Sequence, residues 1–354
     1  MSTKKYMTRA LDFVKKLFRY ALNLAPAGEV DASSLEFVIL AAGKSTRNYP
    51  HSKGLPHKSL APFGSRKVID EIIRQVVEAG GKHITLVVSN DATRQAFESA
   101  FLREPEIEAK FEKKGDAVGL ELLKSLYIPD DVEIKYVIQE KPKGTGHAVG
   151  LAYESVRKTG RSIVMIWPDD MILADRYALF PEDRVSIYRR AVAKYISEGG
   201  RGNLVITRRV GDPKRWGVVL DGYYREKPDI KGPADAGVGF VIFDRRVCDE
   251  ILKETKALDA HRDVAGLVGG ELTFIPALNR VVAGDFKNMR VRTCPMLPSD
   301  TYLDCGSIEG YEKTLLYTLL TESKFNRTNF RFLKKIMPKI EKRIDKESKN
   351  VARG

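Results

Sequence analysis

The 354-residue chain has little cysteine, no long apolar run, no internal repeat and no low-complexity tract. Its three cysteines, Cys248, Cys294 and Cys305, are too few and too scattered for a disulfide framework or a zinc cluster, and they read as reduced thiols. No stretch approaches the roughly 18–20 apolar residues of a membrane span, and no continuous apolar stretch of a secretion signal is present, so a cytoplasmic location is expected. What is there is the composition of an ordinary globular protein: 43% apolar and 30% charged residues. At this length the chain makes one large domain or two smaller ones, with ample material for a buried core.

The net charge of +13 is unevenly placed. Residues 1–24 carry +5 and residues 324–354 carry +8, so residues 25–323 are formally neutral. A neutral body argues against a broad basic groove, and nucleic acid is not an expected partner. Leu11, Val14, Leu17, Phe18 and Ala21 recur at helical spacing among lysines and arginines. They predict a basic amphipathic helical extension over residues 1–29, closed by the Ala25-Pro26-Ala27-Gly28 breaker. Phe330, Leu333, Ile336, Met337 and Ile340 predict a second basic helical extension over residues 324–354. Either helix suits packing on its own domain or on a sister subunit, and the N-terminal one also suits an anionic membrane surface.

Between the extensions, residues 30–323 alternate short apolar runs with helical patterns. Strands are predicted at 36–40, 84–89, 133–138 and 162–167, and helices at 68–79, 93–102 and 147–156. The second half reads as richer in strands, at 203–209, 216–220, 237–243 and 289–293, with a closing helix near 308–320. The charged segment 103–126 reads as decoration of the sheet edge. This alternation predicts an α/β domain whose central sheet is mixed, mostly parallel and flanked by helices.

The loop after the first strand, Leu40-Ala41-Ala42-Gly43-Lys44-Ser45-Thr46-Arg47, sits where an open α/β sheet binds phosphate. It is neither a dinucleotide fingerprint nor a P-loop, and its glycines alone say little. Arg47, Lys53 and Lys58 follow within eleven residues of one another, the last in Pro56-His57-Lys58-Ser59-Leu60-Ala61-Pro62. Here the sequence resembles the sugar-1-phosphate nucleotidyltransferases, whose signature runs Gly-x-Gly-Thr-Arg-x-x-Pro-x-Thr-Lys into Pro-Lys-x-x-x-Pro. Within that family it is similar to the bacterial UTP–glucose-1-phosphate uridylyltransferases. Ser45 stands in place of the second glycine, and the spacing from Arg47 to Lys58 is one residue longer than the pattern, which leaves the part played by Lys53 open.

The resemblance continues in order to about residue 323. Gln139 with Gly144-Thr145-Gly146-His147-Ala148 is similar to the family's base-binding segment, in which the glutamine amide pairs with a pyrimidine edge. Asp169 in Pro168-Asp169-Asp170 and Asp304 in Asp304-Cys305-Gly306 resemble its two metal stations. Taken alone, Asp169 reads equally as a helix cap and Asp304 as a turn residue. Glu226-Lys227-Pro228 resembles the sugar station, and Gly217 and Gly239 fall where the family keeps small residues near the sugar. Glu271 to Ala277 takes the place of a Glu-x-x-Leu-Thr-Asp-Ala element without its Thr-Asp.

The resemblance implies a GT-A-like, Rossmann-like domain that transfers uridylyl from UTP to glucose 1-phosphate with Mg²⁺. By it, Arg47, Lys58 and Lys227 are the catalytic cations, and Asp169 and Asp304 hold the metal. Ala41, Ala42, Gly43, Lys44, Ser45, Thr46, Gln139, Gly144 and Thr145 bind the nucleotide. Asp170, Gly217, Glu226, Lys227 and Gly239 face the sugar phosphate. It also implies a homo-oligomer. A thymidylyl- or cytidylyltransferase, a uridylyltransferase for another sugar, and a catalytically inactive regulator that binds nucleotide sugars remain open alternatives.

Overall fold

The computed structural model describes residues 30–175 and 184–321, together with the isolated positions Lys335 and Pro338. The two basic extensions expected from the sequence lie outside the described residues, apart from those two positions. Fifteen strands are described: β1 Leu35–Ala41, β2 Pro62–Phe63, β3 Arg66–Lys67, β4 His83–Val88, β5 Glu133–Ile138, β6 Ser162–Ile166, β7 Asp170–Leu173, β8 Asn203–Val210, β9 Gly217–Leu220, β10 Tyr223–Glu226, β11 Ala234–Phe243, β12 Leu267–Val268, β13 Glu271–Leu272, β14 Val291–Pro295 and β15 Thr301–Asp304. The helices are α1 Val68–Glu78, α2 Asp91–Phe101, α3 Pro105–Lys114, α4 Ala117–Lys124, α5 Thr145–Val156, α6 Ile187–Ser197, α7 Arg245–Asp259, α8 Ile275–Gly284, α9 Phe286–Met289 and α10 Ile308–Thr321.

β1 is the hub of the sheet because it is apolar on both faces. It pairs in parallel with β4 on one side and β6 on the other, and β5 extends the parallel part beyond β4. Phe37, Ile39 and Ala41 point into one core layer, closed by Val68, Ile69, Ile72 and Val76 of α1 and by α6. Val38 points into the other, closed by Ala148, Val149, Ala152 and Tyr153 of α5 and by Val247, Ile251 and Leu252 of α7. The period of two along β1 and of 3.6 along the helices therefore builds a sheet covered on both sides. β11 runs antiparallel to β6 and β8, and its pairing with β8 shifts register between Gly237 and Val241. Gly239 lies in that shift at φ +62°, where an added Cβ would stand 2.9 Å from the Asp170 carbonyl oxygen. Glycine is required there for both reasons.

The expected mixed, mostly parallel sheet with flanking helices is what the chain forms. Two details differ from the sequence reading. The charged segment 103–126 folds as two helices, α3 and α4, that pack on each other and precede edge strand β5 in the chain. The second half holds four further helices, α6, α7, α8 and the short α9, that the strand-rich reading missed. In α7 only Val247, Cys248, Ile251, Leu252 and Thr255 are buried, and the charged remainder masked their helical spacing.

The packing of α5 on α7 is close because Gly150 carries no side chain. An added Cβ would overlap Thr255 Oγ1 and stand 2.8 Å from Thr255 Cβ, which no rotamer change relieves. Gly150→Ala is expected to lower stability by about 1–3 kcal/mol through overpacking. Thr255→Ala in the same chain, by removing the nearest atom, should return part of it. Urea midpoints of the two single variants and the double variant check this; additive losses would refute it.

Candidate active site

The crevice beyond the carboxyl ends of β1, β4 and β5 is the natural ligand position of such a sheet. A cleft of about 410 Å³ opens there. Ala42, Gly43, Lys44 and Ser45 line it from the loop after β1, Lys53 and Gly54 from further along that loop, and Ser89, Asn90 and Glu140 from the ends of β4 and β5. Of the nucleotide-loop residues singled out in the sequence, Ala42, Gly43, Lys44 and Ser45 thus face a real space, whereas Ala41 ends β1 with its side chain in the core and Thr46 is not among the lining residues. Ser89 and Asn90 were missed; nothing but their place after a strand marks them.

Ser45 adopts the left-handed conformation at φ 56°, the backbone state a glycine would take freely. Its hydroxyl has a use, however: Oγ accepts from the Lys58 backbone N–H at 3.2 Å. The departure from glycine therefore ties the start of the loop to the residue that ends it. His57, buried, fixes the next step. Its Nδ1 accepts from Ser59 N–H at 3.2 Å, capping the short turn Lys58–Leu60 and placing the imidazole proton on Nε2. Burial, with the Lys58 charge adding to it against Asp169, lowers the His57 pKa to about 4.

That shift has a sign that can be tested. His57 stays neutral in the folded chain down to about pH 4, while the unfolded chain protonates it below its ordinary value of 6.5. The unfolded state then binds the extra proton, so stability present above pH 6.5 is lost as pH falls toward 4, by about 2–3 kcal/mol. In His57→Asn, which keeps a capping oxygen, the fall across this window should be shallower by that amount in denaturant titrations at pH 6.5, 5.5 and 4.5. An unchanged slope would count against a buried neutral imidazole.

Lys58 reaches across to Asp169. Its Nζ lies 2.5 Å from Asp169 Oδ2, both side chains being largely buried, while Arg47, 78% exposed, stands 3.6 Å from the same oxygen. Burial pushes the Asp169 carboxyl up, and Lys58, with help from Arg47, brings it below the ordinary value. A short antiparallel ladder of β7 with β15 sets Asp304 opposite Asp170, and Cys305 N–H donates to the Asp169 carbonyl at 2.7 Å. Two aspartates distant in sequence are thereby brought together. Asn48, buried in the first loop, donates from Nδ2 to the Cys305 carbonyl at 3.1 Å and binds the third segment in.

Asp170 is differently employed. Its Oδ1 accepts from the Tyr302 hydroxyl at 2.6 Å and its Oδ2 from Gly239 N–H at 3.1 Å, so both oxygens are engaged with the fold. Burial, with Asp169 and Asp304 nearby, raises its pKa to about 7. Tyr302, which no sequence pattern singles out, also carries Arg208 over its ring at 4.6 Å, and Arg208 lies over Trp216 at 5.6 Å. Gly217 and Glu226 are register partners in the β9–β10 hairpin, and Lys227, at φ 42°, follows with its N–H on the Trp216 carbonyl. Gly217 is small because the Tyr224 ring lies against it.

Gly306 marks where a divalent cation would meet its donors. An added Cβ there would collide with Asp169 Oδ2 and stand 3.0 Å from Asp304 Oδ1, so the two carboxylates close on one small space that only glycine leaves open. Among the described residues no group of three or more His, Cys, Asp or Glu converges as a metal cage. Two carboxylates that converge on one space fit Mg²⁺, which takes one or two carboxylates together with substrate phosphate and water.

Gln139, just past the end of β5, and His147, in the first turn of α5, are both buried. Gln139 Nε2 lies 3.2 Å from the Gly144 carbonyl and 2.9 Å from His147 Nδ1. The segment that departs from the family's Thr-Asp packs on the glycine turn: Leu272 N–H donates to the Lys143 carbonyl at 2.8 Å, and side chains at Gly144 or Gly146 would strike Leu272 and Thr273 backbone.

Residues 36–269 match the family model described as Nucleotidyl transferase. The UTP–glucose-1-phosphate uridylyltransferase of Bacillus subtilis is 33% identical over 138 residues, 39% of this chain and 45% of that protein. The chain thus spans about half the length of such relatives in these matches. The enzyme of that name from Escherichia coli K12 is 25% identical over 79% of this chain and 90% of its own. Among solved structures, the UDP-glucose pyrophosphorylase from Acinetobacter baumanii superposes with a TM-score of 0.66 at 20% identity, over 87% of this chain and 100% of that one. The UTP-bound UGPase from Acinetobacter baumannii gives 0.65 at 19% identity. These two likenesses are of fold.

Proposed function

The chain belongs to the nucleotidyl transferase family, and from that premise we propose that it transfers a uridylyl group from UTP to glucose 1-phosphate, giving UDP-glucose and pyrophosphate. The observation that carries the reading is the meeting of Lys58, Arg47, Asp169 and Asp304 beside the cleft at the end of β1. The activity for which the Bacillus and Escherichia relatives are named supports the choice of substrates.

In this reaction a phosphate oxygen of glucose 1-phosphate attacks the α-phosphorus of UTP in line, and the bond to the β-phosphate oxygen breaks to release pyrophosphate. No protein base is needed, because the sugar phosphate is already ionised. What the chain supplies is position and charge. The loop Ala42–Ser45 offers backbone amides to the triphosphate, while Lys58 and Arg47 sit where charge collects on the α-phosphate and the leaving group. Glu226 accepts from sugar hydroxyls and Lys227 faces the sugar phosphate, both presented by the β9–β10 hairpin. Asp169 and Asp304 would hold Mg²⁺, which neutralises phosphate charge when bound. Asp170 braces the site through Tyr302 and Gly239. Residues 30–323 would form the catalytic domain.

Pyrophosphate release with Mg²⁺, from a matrix of nucleoside triphosphates against sugar 1-phosphates, tests the reading. Turnover confined to UTP with glucose 1-phosphate supports it. Another active pair moves the substrate, and silence from folded protein refutes catalysis.

A further inference from the structure

The side chain of Asp259, at the end of α7, touches the glycine turn through His147. His147 Nε2 lies 3.1 Å from Asp259 Oδ1, and Lys143 Nζ lies 2.5 Å from the same oxygen. With the two contacts of Gln139 this makes a chain of groups, Asp259 to His147 to Gln139 to the Gly144 carbonyl. The chain has a single consistent arrangement of protons. A carbonyl only accepts, so the atom of Gln139 facing Gly144 is the amide nitrogen. That nitrogen also faces His147 Nδ1, which must then accept. The imidazole proton is left on Nε2, where it meets a carboxylate, again an acceptor. Burial raises the Asp259 pKa, and the hydrogen bonds from Lys143 and His147 bring it below its ordinary value, so this end of the chain is an anion.

Both N–H groups of Gln139 are thus consumed, and among the described residues nothing donates to its Oε1. We propose that His147 and Asp259 are positioning residues that lock the Gln139 amide with its oxygen as the only free group, so that the crevice selects a base offering a ring N–H. Uracil offers N3–H, whereas N3 of cytosine is an acceptor and meets a second acceptor. The lock rests on the reading of Gln139 as the base-contacting residue. It deepens that reading by assigning the choice of base to a histidine tautomer set by a carboxylate on another helix. The close approach of α5 and α7 at Gly150 and Thr255 is what brings that carboxylate within reach, one turn beyond each.

The test compares UTP and CTP on the full chain, as calorimetric binding and as kcat/KM with glucose 1-phosphate. His147→Phe keeps the bulk and removes the nearer of the two acceptors, leaving the 3.2 Å contact with the Gly144 carbonyl as the sole tether, so the amide is held less firmly and can turn to offer N–H to cytosine. The UTP-to-CTP preference should fall about tenfold or more, carried by KM more than by kcat. Asp259→Leu is on a partly exposed side chain and folds even where the buried variant does not. It frees the imidazole to move its proton to Nδ1, which favours the amide oxygen on that side against the single remaining contact with the Gly144 carbonyl, and the preference should fall in the same direction. Asp259→Asn retains an acceptor oxygen and should keep it. An unchanged preference in Asp259→Leu, or an equal fall in Asp259→Asn, overturns the lock while leaving UTP as substrate. A wild-type chain that binds neither nucleotide overturns the functional reading and the lock with it.

Discussion

Lys58→Met is expected to lower kcat by about 10²–10³-fold, the range for losing one preorganised charge from a transition state. Methionine keeps the length and apolar stem of lysine and removes only the ammonium. Because the side chain is largely buried and aimed at Asp169, no exposed neighbour replaces it; Arg47 is 78% exposed and stands farther off at 3.6 Å. The loss should appear in kcat more than in KM, since the added charge on the leaving pyrophosphate oxygen develops only as the bond breaks. The same substitution strips Asp169 of its nearest counter-ion, which for a buried pair costs about 3 kcal/mol of stability. Kinetics are therefore read at a temperature where circular dichroism shows the variant folded. Lys58→Arg should recover part of the rate, because charge returns while the planar fork does not match a single ammonium contact. Wild-type kcat in Lys58→Met would remove Lys58 from the chemistry.

Much of this arrangement was legible before any coordinates. β1 announces itself as an apolar run followed by a small-residue loop, and the residue types at 47, 58, 169 and 304 are those that phosphate and cation chemistry use. What the sequence did not show is how such residues meet. The ladder that sets Asp304 opposite Asp170 pairs two short strands from opposite halves of the chain, and neither carries a pattern that names its partner. Tyr302 reads as one more strand residue until its hydroxyl is seen on Asp170. Asp259 closes a helix crowded with charge, so nothing in its neighbourhood distinguished it from Glu254 or Asp263. Ser45 read as a departure from glycine, and only the fold shows its hydroxyl holding Lys58. Local chemistry is written locally; contacts between segments depend on register and helix approach, which glycines such as 150 and 306 permit without advertising.

Asp169→Asn and Asp304→Asn are each expected to lower Mg²⁺-supported turnover by about 10³-fold, and the double variant by little more. The argument is geometric. Both carboxylates close on the space at Gly306, so each supplies half of one binding position, and residues that act as a unit are not additive when removed. Asparagine is nearly isosteric and keeps one acceptor oxygen. In Asp304→Asn that oxygen can still take either Gly306 N–H or the Ser307 hydroxyl, which Asp304 now holds at 2.7 and 2.8 Å. The turn therefore survives, and the loss is one of charge. In Asp169→Asn the anion facing Lys58 disappears, so some recovery is expected as Mg²⁺ is raised, because the remaining carboxylate with substrate phosphate still attracts a cation. Turnover titrated against Mg²⁺, with folding checked in parallel, reads all three variants. Losses that multiply in the double variant would assign the aspartates separate tasks, and full Mg²⁺-dependent activity in the double variant would remove the cation from this pair altogether.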